Sequence, residues 1–223
     1  MTATDFGIQV FDPHAATPAE WEALTAFKNT LQAERFPDDP PRSLEFRMGQ
    51  LRNLPPMFGT RLWGAWASDH TVLLGSAFMV IPNTEDNRHL AQFEIEVLPQ
   101  WRGSGLGRAL LALIAAEAAG AGRTLMMSTS SAAVPAGSAF LSRIGATVGL
   151  TGHTNQLDLA DLDHDLLRRW QGAAPERAPG FRLGLWEGAY PEDELPAIVD
   201  LMAVTNDEPL GDLEVEAFQF TAE

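Results

Sequence analysis

The chain has 223 residues, a formal net charge of −15, no cysteine, and 45% apolar against 20% charged residues. That length suits one well-buried domain of roughly 100 to 200 residues plus an appendage. Without cysteine there is no disulfide framework, no thiolate metal site and no acyl-cysteine intermediate, and the acidity disfavours nucleic acid and suits a cationic or amine substrate.

Gly7 to Asp12 reads as a first strand. Pro18 to Leu31 follows as a helix with Trp21, Leu24, Phe27 and Leu31 at helical spacing and Pro18 in a favoured first-turn position. After the breaker Phe36-Pro37-Asp38-Asp39-Pro40-Pro41 comes a helix from Ser43 to Asn53, stopped by Pro55-Pro56. Arg61 to Ala67 and Thr71 to Ile81 form a hairpin across Ser68-Asp69-His70. In the next strand, residues 88 to 98, Phe93, Ile95 and Val97 point one way and Glu94 and Glu96 the other. A helix from Gly105 to Ala119, a strand from Thr124 to Ser130, a helix from Ala136 to Ile144 and one or two closing strands in Ala146 to Leu159 complete the domain.

The tail is predicted as a capped helix, Asp163 to Trp170, a linker, Gln171 to Gly180, a strand, Phe181 to Glu187, a helix opened by Pro191, and the start of another in Asp212 to Phe220. Strand, proline-led helix and acidic-proline segment repeat the opening of the chain, Pro191 answering Pro18. The apolar Leu183, Leu185, Trp186, Ile198 and Met202 of such a piece need a cover. The tail is therefore expected to dock on the first domain or on another subunit, giving a homodimer; a fragment of a longer protein is the competing explanation.

The stretch V-L-P-Q-W-R-G-S-G-L-G-R-A-L-L, Val97 to Leu111, joins a strand end, a glycine turn and an apolar helix. A helix start offers unpaired N–H groups and the positive end of its dipole, and Gly103, Gly105 and Gly107 let a phosphate reach those amides. A P-loop would need lysine and a hydroxyl after the last glycine, where Arg108 and Ala109 stand, and a dinucleotide fold would need its third glycine one residue later. Asp161, Asp163 and Asp165 mimic a calcium loop, but Leu166 and Gly172 occupy its glycine and glutamate positions, so helix capping is preferred and no metal is expected.

Read as R-x-x-G-x-G over Arg102, Gly105 and Gly107 after a strand ending in V-x-P, the stretch resembles the acyl-CoA-binding motif of the GNAT superfamily of N-acetyltransferases, and the order of elements over residues 5 to 160 agrees. The resemblance implies an α/β (α+β) GNAT fold, a mixed, splayed sheet flanked by helices, over residues 1–160. A helix and linker follow at 161–180 and a partial second repeat at 181–223, as in bacterial tandem GNAT proteins. It implies acetyl-CoA as co-substrate, held by Val97, Leu98, Arg102, Gly103, Ser104, Gly105, Leu106, Gly107 and Arg108. The main chain at Val97 and Leu98 would hold the pantetheine arm as an extra strand and present an N–H to the thioester carbonyl, Leu98 acting through its backbone only, and Ser130, Ser131 and Ser138 would lie against the coenzyme.

Glu94 and Glu96 are the candidate bases, Glu96 being nearer the splay, with His89 a further candidate. The family's late-helix tyrosine is replaced by Leu141, and the single tyrosine is Tyr190 in the tail. Either Ser138 or Ser142 then helps through water, or the thiolate leaves without an acid. The expected function is transfer of an acetyl group to a primary amine of a small molecule by direct attack in a ternary complex; the alternative is a catalytically silent acyl-CoA-binding or interaction module. Phe36, Phe46, Met57 and Phe58 are candidates for the acceptor side. The start lacks a secretory signal and the longest apolar run, Ala109 to Ala119, is shorter than the about 20 residues that span a bilayer, so a cytoplasmic protein without membrane partners is expected.

Overall fold

The computed structural model describes residues 6–55 and 57–221. Pro56 of the expected Pro55-Pro56 stop lies outside these. The chain divides into two units, Met1–Thr147 with Val215–Ala217, and Val148–Glu214 with Phe218–Glu223.

The first unit is a five-stranded sheet in the order β1-β2-β3-β4-β5, built from Gly7–Val10, Phe58–Trp66, Leu73–Pro82, Leu90–Val97 and Leu125–Met127. The first four strands pair antiparallel and β5 runs parallel to β4. The four helices are α1 (Pro18–Arg35), α2 (Leu44–Arg52), α3 (Leu106–Gly120) and α4 (Pro135–Arg143). The T-P-A-E start of α1 folds as a capping box, in which Glu20 N–H donates to Thr17 Oγ1 at 3.3 Å and Thr17 N–H to Glu20 Oε2 at 2.8 Å. Ser43 caps α2 more simply, its Oγ accepting the Phe46 N–H at 3.2 Å.

Strand alternation sorts side chains onto two cores. Trp63, Ala65, Leu74, Ala77, Met79, Ala91 and Phe93 lie with Leu106, Leu110, Ile114 and Ala118 of α3. Leu62, Trp66, Leu73 and Leu98 pack with Trp21, Leu24 and Phe27 of α1, and with half-buried Leu44, Met48 and Leu51 of α2. Gly75 is the notch that seats α3: a Cβ there would lie 2.9 Å from Leu106 Cδ2 and 3.0 Å from the Glu96 carbonyl oxygen.

The strand expected over Thr124 to Ser130 forms only at Leu125–Met127, opposite Leu90, Ala91 and Gln92. Beyond Gln92, the β5 side of β4 has no strand partner among the described residues, and this is the splay. The rest of the predicted strand lost its ladder to that divergence, although Ser and Thr continue the pattern.

No strand forms in the described part of Ala146 to Leu159, where Gly149, Gly152 and a polar run supply little to pack. In the second unit α5 (His164–Arg177) runs through most of the expected linker, its alanines favouring helix up to a last turn that holds Pro175. Phe181 to Glu187 is not a strand; Phe181 and Leu185 are exposed and have no ladder partner among the described residues. α6 (Leu195–Ala203) begins after Pro191 rather than at it, and Asp212 to Phe220 forms no helix. Within that stretch Val215–Ala217 belongs to the first unit: Glu216 N–H donates to Asn87 Oδ1 at 2.9 Å, and Asn87 returns its backbone N–H to Glu216 Oε2 at 2.8 Å and its Nδ2 to the Glu216 carbonyl at 3.0 Å.

Candidate functional site

At the end of β4 a single turn of 3₁₀ helix, Pro99–Trp101, leads into the glycine turn. Gly103 and Gly105 take φ of 78° and 95°, the left-handed region where a side chain is strained, and a Cβ on either would meet nothing within 4 Å. The turn thus has an open outer face at the N-terminus of α3. Ser104 Oγ donates to the Trp101 carbonyl at 2.7 Å and accepts from Leu106 N–H at 3.5 Å, pinning the turn from inside. Among the described residues no carbonyl takes the N–H of Gly103, Ser104, Gly105 or Gly107. Four unpaired donors at a helix start, with an open approach, fit a diphosphate.

The two arginines of the motif part company. Arg108 is exposed on the first turn of α3 and makes none of the ion pairs among the described residues. Arg102 turns inward: Nη1 and Nη2 form a fork on Glu34 of α1 at 2.6 and 2.5 Å, and Nε donates to the Val97 carbonyl at 3.1 Å. The fork lowers the Glu34 pKa and raises that of Arg102, in each case with burial opposing. Leu106 is fully buried, so only its main chain faces the turn.

Leu98 N–H donates to the Leu74 carbonyl at 3.0 Å. Of the two main-chain positions expected to serve the thioester, Leu98 therefore has its donor already used inside the sheet. By strand alternation the amides of Val97 and Ile95 face away from β3, into the splay.

Glu94 and Glu96 share the face covered by α1 and α2, as their spacing predicts. Glu96 is held by the Lys28 ammonium and by Ser76 Oγ, the latter at 3.4 Å. Glu94 is exposed and stands opposite Phe78 of β3. Two cavities meet at this pair. One, of about 190 Å³, opens where β4 and β5 part and is lined by Gln92, Met127, Ser128 and Thr129. The other, of about 500 Å³, lies under α1 and α2 and reaches Glu96, Lys28, Leu62 and Arg47. Phe78 and Glu94 line both.

Ser130 and Ser138 come together, Oγ to Oγ at 3.2 Å, at the foot of α4, whereas Ser131 Oγ accepts from the Ala133 N–H as a local turn cap. Leu141 packs against the α3 core, and Ser142 is exposed. His89 sits at the other end of β4, its Nδ1 4.0 Å from Glu216 Oε1. Tyr190 belongs to the second unit, its ring edge-on to Trp186 at 5.7 Å. Phe36 lines the larger cavity; Phe46 is stacked under Arg42 at 5.0 Å, and neither Met57 nor Phe58 lines a cavity described here. Sequence reasoning missed Lys28, Glu34 and Arg47, whose partners lie far away in the chain. No group of three or more potential ligands is placed to hold a metal among the described residues, and no helix there is long and apolar enough to cross a membrane.

No curated protein matches the chain by sequence. Among solved structures it resembles a tandem GNAT protein from the clavulanic acid biosynthesis pathway, with 20% identity and a TM-score of 0.61 over 88% of this chain and 59% of that one. It also resembles yncA of Salmonella typhimurium, solved with its cofactor acetyl-CoA, at 20% identity and a TM-score of 0.52, covering 70% of this chain and 87% of that one. A third is the ribosomal-protein-alanine N-acetyltransferase of Brucella melitensis, at 15% identity and a TM-score of 0.50, covering 67% and 99%. The family model for acetyltransferases of the GNAT type matches residues 21–143, more than half of the chain, from α1 through α4. The chain belongs to the GNAT acetyltransferase family.

Proposed function

We propose that the chain transfers an acetyl group from acetyl-CoA to a primary amine of a small molecule, by direct attack within a ternary complex. The observation that carries this reading is the pair of cavities that share Phe78 and Glu94. One opens at the splay, where a pantetheine arm fits, and the other under α1 and α2, where an acceptor fits. Acetyl-CoA, when bound, supplies an activated acyl group. The amides of Gly103, Ser104, Gly105 and Gly107 hold its diphosphate, with Arg108 as the nearby cation. The Val97 N–H, directed into the splay, polarises the acyl carbonyl in place of Leu98.

Glu94 takes the proton of the attacking amine, directly or through one water. Glu96, neutralised by Lys28, shapes the wall beside it and keeps the Lys28 ammonium from repelling a cationic acceptor. No tyrosine stands on α4, so no side chain there would donate a proton to a departing thiolate, whose modest basicity would let it go without one. A homodimer through the tail and a cytoplasmic address complete the reading.

Incubation with acetyl-CoA and a panel of amines, followed by thiol release, tests it. Glu94→Gln should lower kcat about a hundredfold or more while the Kd for coenzyme A, measured by calorimetry, stays the same. A second reading, a silent acyl-CoA binder, is favoured by Leu141 at the usual tyrosine position. Tight coenzyme binding with no turnover on any amine would establish that reading instead.

A further inference from the structure

The larger cavity is walled by four cations, Lys28, Arg35, Arg42 and Arg47, against the three acids Asp39, Glu94 and Glu96, in a chain whose net charge is −15. Lys28 is paired with Glu96, but none of the ion pairs among the described residues includes Arg35, Arg42 or Arg47. Arg47 is half-buried on α2. Its Nη2 donates only to neutral oxygens, Asn29 Oδ1 at 3.2 Å and Gln32 Oε1 at 3.0 Å, and its Nε is buried with no partner. Burial lowers its pKa, the Glu96 carboxylate opposes this, and Arg42 adds to the lowering. Arg47 thus has Glu96 as an acidic neighbour but no carboxylate in direct contact, and its buried Nε keeps an unused donor facing the cavity wall, a place where an arriving anion would be bound.

The arginines are also held in place. Asn29 Nδ2 donates to the Arg42 carbonyl at 2.9 Å and Asn29 Oδ1 accepts the Arg42 N–H at 3.1 Å, while Gln32 Nε2 donates to the Pro40 carbonyl at 2.9 Å. The same two side chains of α1 thus fix the loop carrying Arg42 and orient Arg47. Arg42 is braced on the Phe46 ring at 5.0 Å. Planar forks set in advance on one wall match a carboxylate or a phosphate.

We infer that the acceptor is an acidic amine, whose carboxylate or phosphate docks on Arg47 and Arg42 while its amino group lies against Glu94. This rests on the amine-acetylation reading above. It explains how a strongly acidic protein can take an anionic molecule: the outer surface attracts the ammonium and the cavity receives the other end.

The test uses the full chain and matched probes: amino acids against their amides, and aminoalkyl phosphates against the corresponding amino alcohols, with thiol release as the readout. The acidic member of at least one pair should be favoured tenfold or more in kcat/KM, and the two sets separate carboxylate from phosphate. Arg47→Gln should collapse that ratio to within about twofold, chiefly through the KM of the acidic member. Arg47→Lys, which keeps the charge without the fork, should fall between. Circular dichroism establishes that the variants fold.

Equal turnover of paired members, or coenzyme binding with no turnover of any acidic member, overturns the inference. So does a loss of coenzyme A affinity in Arg47→Gln, since that would assign the arginine to the coenzyme. Neutral amines turned over as well as acidic ones leave the acetyltransferase reading standing without this one. If calorimetry detects no binding of coenzyme A at all, the parent reading falls as well.

Discussion

Arg102 belongs to the coenzyme motif by sequence and to the α1 anchor by structure, and a double-mutant cycle with Glu34 separates these roles. The two side chains are 26% and 28% exposed, and the fork spans 2.6 and 2.5 Å. An exposed pair couples by about 0.2–1 kcal/mol, and breaking a buried one costs about 3–5 kcal/mol, so this three-quarters buried fork should couple by about 1.5–2.5 kcal/mol. Arg102→Gln also loses the bond to the Val97 carbonyl and should cost about 2–3 kcal/mol, or about 4–12 °C in Tm for a chain this size. Chemical denaturation of Arg102→Gln, Glu34→Gln and the double variant gives the coupling. Arg102 holds the Glu34 pKa below its ordinary value, so the folded state binds fewer protons than the unfolded one near that value. The pair's contribution is then full above about pH 4.3, and it is lost as pH falls from there through the lower folded pKa. The Kd for coenzyme A should change by less than about threefold. Unchanged stability with a tenfold weaker coenzyme complex would refute the anchor and return Arg102 to the phosphates.

Gly105→Ala places a Cβ at φ 95° on the open face of the turn, so stability should fall by about 1–2 kcal/mol while coenzyme A affinity falls tenfold or more; an affinity within twofold of the parent chain would mean that the diphosphate lies elsewhere. Asn87→Ala removes two side-chain hydrogen bonds to Glu216 and puts alanine at φ 53°, which should cost about 2–3 kcal/mol by denaturation, against no loss if Val215–Ala217 does not hold the β3–β4 loop in solution.

What could be read in the sequence was what depends on near neighbours. The apolar spacing of Trp21, Leu24 and Phe27, the alternation of Phe93, Ile95 and Val97 against Glu94 and Glu96, and the glycines after Trp101 each specify local geometry, and the elements from β1 to α4 follow in the expected order. The ends of α1 and β2 moved because packing extended them: α1 continues a turn past Leu31, and β2 begins at Phe58 rather than Arg61, where the register with Pro82 and Ile81 is already open to it. The length of β5 is set by where β4 turns away, which no property of Ser128 or Thr129 records. The strands expected in Ala146 to Leu159 and Phe181 to Glu187 had suitable residues but no ladder to join. Which of the successive amides of Val97 and Leu98 faces the splay was not legible for a related reason, since it depends on the register with Leu74.

The site residues that sequence reading missed share one cause, and apart from Arg47 of α2 they share one place. Lys28, Asn29, Gln32 and Glu34 lie on the last two turns of α1, and each answers a group from another part of the chain: Glu96 of β4, the Arg42 backbone, Arg47 of α2, and Arg102 beyond β4. In isolation they read as the solvated face of an amphipathic helix, because nothing in their spacing differs from one. Folded, they make α1 the common support of the splay and the larger cavity. Through Arg102 it braces the Val97 carbonyl whose neighbouring N–H faces the splay, through Lys28 it fixes Glu96, and through Asn29 and Gln32 it holds the arginine wall. The buried Trp21, Leu24 and Phe27 one to two turns earlier set the rotation of the helix, and with it all four contacts at once. Changes at those apolar positions should therefore disturb coenzyme and acceptor sites together, whereas changes at the polar positions should separate them.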